Sequence, residues 1–69
     1  MQQYTVVIKQ EGEWWFGWVE EVPGVNCQEK SKSELLKTLK VTLQEAIQLN
    51  RKEAISSAVG NFIEESIAL

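Results

Sequence analysis

Between Lys32 and Ala54 the chain contains neither glycine nor proline. Over that stretch Leu35, Leu36, Leu39, Leu43, Ala46 and Ile47 recur at helical spacing and form one apolar stripe, which can run on through Asn50 and Ala54. Ser31 and Glu34 have the S-x-x-E spacing of a capping box, in which each side chain satisfies a backbone N–H the other leaves exposed. Ser56-Ser57 and Gly60-Asn61 supply stop signals. The sequence therefore predicts one long helix over residues 32–54. A single helix covers a single face of a sheet, so the fate of the other face becomes the main question.

The residues before the helix read as strands. Residues 4–9 are β-branched and aromatic, residues 10–13 make a polar turn with one glycine, and residues 14–20 make a second strand. Val22-Pro23-Gly24 interrupts the run: Pro23 fixes φ and Gly24 permits φ > 0, which predicts a tight turn or bulge. Residues 25–29 alternate apolar and polar as a short third strand, with Val25 and Cys27 facing inward. The tail, 62–69, is expected to form a fourth strand, with a short amphipathic helix as the alternative. The order β-β-β-α-β predicts an α+β fold, a two-layer sandwich of three antiparallel strands under one helix. A right-handed crossover would return the fourth strand parallel to the first.

All three tryptophans fall between positions 14 and 18. The period of two puts Trp14, Phe16 and Trp18 on one face and Trp15, Gly17 and Val19 on the other. Both faces are apolar, so the pattern leaves open which one meets the helix. Aromatics on the uncovered side would be exposed or buried by another chain, and such patches mark interaction sites. Trp14, Trp15, Phe16, Trp18, Glu20 and Glu21 are accordingly the candidate partner-binding residues. Pro23, Gly24, Ser31 and Glu34 are the candidate structural ones.

Catalysis finds little to work with. There is no histidine and no aspartate among 69 residues, and Glu20 and Glu21, like Glu64 and Glu65, would point to opposite faces of a strand. Two-metal hydrolysis needs gathered carboxylates and proton transfer needs a placed base. The expectation is no enzyme, no cofactor and no metal, with the one cysteine, Cys27, as a core residue. Single-strand binding by stacked aromatics needs basic neighbours. Glu13, Glu20 and Glu21 flank the cluster instead, and the net charge is −3, so no direct nucleic-acid binding is expected. Lys30, Lys32, Lys37 and Lys40 gather at the start of the helix and read as a solvated face, or as a contact to an acidic partner or neighbouring subunit.

Size adds one more inference. A domain this small buries only about 60% of the surface its unfolded chain exposes, and one cysteine allows no intrachain disulfide. Residues 1–69 are thus read as one domain, stabilised as a homo-oligomer. No apolar run approaches the ~20 residues of a membrane span. The start, Met1-Gln2-Gln3-Tyr4, lacks a signal-peptide pattern, which with a lone thiol predicts a cytoplasmic protein.

Taken together, Tyr4 to Ile8 (Y-x-V-V-I), the aromatic strand Trp15 to Val19, Val22-Pro23-Gly24, Ser31 and the helix from Leu35 through Ile47 resemble the HicB-like antitoxin family. The resemblance covers nearly the whole chain. It implies a partial ribonuclease-H-like fold and, as partner, a small basic HicA-type ribonuclease toxin whose surface the module would mask. The family often has cysteine after its P-G, where this chain has Val25. Full-length relatives often carry a C-terminal DNA-binding domain; nothing in the 69 residues matches one, so no operator binding is implied. The alternative is an orphan oligomeric scaffold with no toxin partner.

Overall fold

A computed structural model of the chain describes residues 3–68. Strand β1 spans Val6–Glu11, β2 spans Trp14–Val19, β3 spans Asn26–Glu29, and helix α1 spans Lys32–Ser57. The sheet has the order β1-β2-β3 with both pairings antiparallel. The α+β class and the three antiparallel strands under one helix are as the sequence predicts.

Each connection follows from its residues. Gly12 and Glu13 join β1 to β2, with φ of +59° at Gly12 and no positive φ at Glu13. That is the II′ pattern, whose twist matches the flanking strands and favours glycine at the first position. After β2, Gly24 takes φ of +89° and Val25 N–H donates to Val22 O at 3.4 Å, so Val22-Pro23-Gly24 closes the expected turn. At the helix start Ser31 is extended, and its Oγ accepts from Glu34 N–H at 3.2 Å, which realises the serine half of the box.

The core is small. Val19, Val25, Leu35 and Leu39 are buried, with Tyr4, Val6, Ile8, Trp15, Val22, Cys27, Leu43 and Ala46 packed around them. Full burial of a leucine is worth about 2 kcal/mol of transfer free energy, so Leu35 and Leu39 anchor the helix to the sheet. Leu36, one step round the helix, stays exposed.

Gly17 decides which face of β2 the helix covers. A Cβ built there would lie 2.7 Å from Leu39 Cδ1 and 3.1 Å from Leu35 Cδ2. Glycine in a strand interior often marks the close approach of another element, and α1 lies directly over it. Two polar contacts hold β3 in register with the helix. Thr38 Oγ1 donates to Glu29 Oε2 at 2.6 Å, and Cys27 Sγ lies 3.5 Å from Thr42 Oγ1. Two residues along a strand advance about 6.7 Å and four along a helix about 6 Å, so Cys27/Glu29 and Thr42/Thr38 match step for step.

The predicted fourth strand is not shown. Residues 62–68 carry neither strand nor helix, and Leu69 lies outside the described residues. The reason is helix length. Twenty-six residues make α1 about 39 Å long, whereas a six-residue strand spans about 20 Å. Ala46 is the last helix residue packed against the core, so α1 overshoots the sheet, and the chain then turns back so that Phe62, Ile63 and Glu64 lie beside Arg51, Ala54 and Ile55 of the helix end, not in the sheet.

Candidate protein-binding face

With Trp15, Gly17 and Val19 turned to the helix, Trp14, Phe16 and Trp18 form a ridge along the uncovered face of the sheet. Pairing fixes their neighbours. Trp18 lies between Val7 and Asn26, and Phe16 lies between Lys9 and Gln28. Trp14 pairs with Glu11, and Lys30 Nζ sits 5.5 Å from the centroid of its ring. The central strand is thus an aromatic rib with polar or short apolar residues on either flank. Trp14 is 39% exposed and Trp18 41%, while Phe16, between them, is half-buried. A shallow groove runs beside Phe16 and Trp18 along Asn26 and Gln28.

The charges on this face are few and partly matched. Lys9 Nζ and Glu11 Oε1 are 2.6 Å apart, both well exposed. Such a surface pair adds little stability, but it offsets the charge of one of the two lysines on the face. Lys30 stacks on Trp14 in a cation–π contact. Glu20 continues the alternation of β2 beyond Val19 and borders a hollow with Trp18 and Pro23.

The structure separates the predicted site residues into two groups. Trp14, Phe16, Trp18 and Glu20 come together on the open face. Trp15 lies on the helix side, packed against the core. Glu21 turns to the start of the sheet, where its Oε1 accepts from Thr5 N–H at 2.8 Å. That hydrogen bond, first of all, holds the Glu21 carboxyl below the usual range. The four glutamates 20, 21, 64 and 65 do not gather on one surface: Glu21 caps β1, while Glu64 and Glu65 are on the tail. Val7, Lys9 and Gln28 belong to the face without having been singled out as binding residues, and Lys30, read from sequence with the helix-start lysines as a solvated face or a partner contact, joins them there. Their signal was alternation about Gly17, which marks the covered side. Of the four structural candidates, Ser31 and Glu34 form the cap, and Pro23 and Gly24 form the turn.

Among the described residues, no group of three or more His, Cys, Asp or Glu side chains is placed to hold a metal ion, and no helix is long and apolar enough to cross a membrane. No protein-family model, no curated protein and no solved structure matches this chain.

Proposed function

We propose that this chain is a protein-binding module of the HicB antitoxin kind, which masks the RNA-binding or catalytic surface of a small basic ribonuclease toxin and performs no catalysis itself. The observation that carries the reading is the aromatic rib of the central strand, with Trp14 and Trp18 partly exposed and Phe16 half-buried between them, while α1 fills the opposite side. Tryptophan at the centre of a patch is the commonest kind of interface hot spot, and polar residues such as Asn26 and Gln28 suit a rim. Glu20 beside Trp18, with a chain charge of −3, favours a basic partner, chiefly by speeding encounter. Base stacking is less well supported, because Lys9 is matched by Glu11 and Glu20 borders the rib. In this reading the protein works in the cytoplasm, where its toxin would act.

Co-expression with the product of a small adjacent reading frame tests this. A complex that rescues growth, and that Trp18→Ala weakens by about 30-fold or more, is the expected result. Failure of every such product to bind, or rescue untouched by Trp18→Ala, would overturn the proposal. The oligomeric-scaffold alternative predicts self-association without any rescue.

A further inference from the structure

Glu20 and Glu21 are neighbours in sequence, but the fold uses the carboxylate of Glu21 alone, which accepts from Thr5 N–H. Glu20 donates its backbone N–H to Thr5 O at 2.9 Å. That bond extends the β1–β2 ladder by one pair, so the Glu20 side chain lies on the rib side, after Trp18. Among the described residues the Glu20 carboxylate has neither a hydrogen bond nor an ion pair; the one ion pair is Lys9–Glu11. The two lysines of the face are remote from it. Glu20 stands opposite Thr5, and Lys9 is four residues further along β1, about 13 Å away, with its Nζ turned to Glu11. Lys30 lies beside Trp14, six residues back along β2, about 20 Å away. Both spans exceed the Debye length of about 8 Å at physiological salt, so neither lysine neutralises Glu20.

The hollow beside Glu20 is lined by Trp18, Pro23, Gly24 and Asn26. Its polar groups are set to accept. The backbone N–H groups of Val19, Glu20 and Val25 are spent on Val25 O, Thr5 O and Val22 O, and Pro23 has none. Asn26 Nδ2 donates to Gly24 O at 3.4 Å. That leaves the carboxylate, Asn26 Oδ1 and a second lone pair on the Gly24 carbonyl. The far end of the rib shows what such an indole attracts, since Lys30 Nζ sits 5.5 Å from the Trp14 ring centroid. Trp18 has an unpaired carboxylate beside it and no cation of its own chain. We propose that this hollow takes one arginine side chain of the partner, with the guanidinium stacked on the Trp18 indole and its N–H groups turned to Glu20 and the Gly24 carbonyl. The proposal rests on the reading of the rib as a partner-binding face and names the group that the face recognises. A guanidinium is planar, so it can lie flat on an indole while its edge donates to a carboxylate. It also presents five donors to a hollow that offers acceptors, and it is more weakly hydrated than the ammonium of lysine.

Titration of the full-length chain with N-acetyl-arginine methylamide, followed through the tryptophan indole N–H signals by NMR, tests the proposal without any toxin. N-acetyl-lysine methylamide and N-acetyl-citrulline methylamide, which has the shape of the arginine probe without its charge, are the comparisons. The Trp18 signal should move with arginine, less with lysine and least with citrulline. Trp14, whose ring already carries Lys30, and Trp15, packed against the core, should move little. Glu20→Gln keeps the backbone bond to Thr5 and should weaken the arginine response about five-fold or more. Glu13→Gln, which removes the same charge from the β1–β2 turn, should leave it within about two-fold. Equal responses to arginine and citrulline, equal movement of all three tryptophans, or an arginine response unchanged in Glu20→Gln would each overturn the site. Rescue from a toxin is read in a separate experiment, so a failed titration beside a successful rescue removes the arginine site alone. A successful titration without rescue keeps the site and removes the antitoxin reading.

Discussion

Gly17→Ala is the most informative perturbation of the fold, because it reports which face of β2 is covered. The new Cβ would stand 2.7 Å from Leu39 Cδ1 and within 3.4 Å of both Leu35 methyls. Those methyls are the ends of flexible side chains, but Leu35 and Leu39 are the best-buried residues in the protein, at 0% and 2% exposed. Overpacking of this kind costs about 1–3 kcal/mol. Replacing glycine in a strand interior returns about 0.5–1 kcal/mol. The expected net loss is about 1 kcal/mol for alanine, and more for Gly17→Val. Urea unfolding followed by tryptophan fluorescence at fixed protein concentration measures it. With a slope of about 1 kcal/mol/M for a domain this small, the alanine variant should lower the midpoint by about 1 M without altering the slope. In a Leu39→Ala background the closest contact is gone and only the Leu35 methyls, at 3.1 and 3.4 Å, remain, so the same change should cost much less, giving a coupling energy of about 1 kcal/mol. If Gly17→Ala and Gly17→Val both leave the midpoint unchanged or raise it, with no coupling to Leu39, the helix does not rest on this face. The aromatic rib would then be the core.

Other outcomes follow from single residues. Leu35→Ala should cost about 3 kcal/mol, enough to unfold much of a marginal domain, whereas Leu36→Ala should cost about 0.5 kcal/mol or less; thermal melts of the two distinguish buried from exposed positions on one helix. Ser31→Ala should lose about 1 kcal/mol through the uncapped Glu34 N–H, seen as lower helicity and an earlier urea midpoint. Glu21 has its carboxyl pKa lowered by the Thr5 N–H bond. The stability it adds is therefore present above the ordinary carboxylate range and is lost as pH falls through the lowered folded-state value. Stability measured from pH 7 down to about pH 2 should show that acid-dependent component in the wild type and not in Glu21→Gln; equal pH profiles would remove the role assigned to this bond.

Much of the architecture is local and so was legible. The helix start at Ser31, the strands on either side of Gly12, and the Pro23-Gly24 turn each rest on chemistry within a few residues. The end of the helix was less so: Ser56-Ser57 marked it, but the extent of its contact with the sheet depends on strand length, which no local pattern records. The tail illustrates the consequence. Short apolar residues after Gly60-Asn61 have strand character, but α1 overshoots the sheet, and residues 62–64 lie against the last turns of that helix instead of a strand edge. The aromatic segment was ambiguous for another reason. Alternation assigns residues to two faces but does not label them, and only the contact of Leu35 and Leu39 with Gly17 supplies the label. Trp15 and Glu21, grouped with the binding residues by proximity in sequence, fall on the structural side once that label is fixed. The Thr38–Glu29 bond joins residues from two elements and had no sequence cue at all.

The claim that the aromatic rib is the partner-binding face can be read directly from the three tryptophans. Oxidative footprinting resolved by residue should modify Trp14 and Trp18 readily in the free protein and Trp15 slowly. In the complex with a toxin partner, modification of Trp14 and Trp18 should fall several-fold while Trp15 stays as it was. A complex that forms with Trp14 and Trp18 still fully reactive would contradict the account, because the partner would then be held by some other surface.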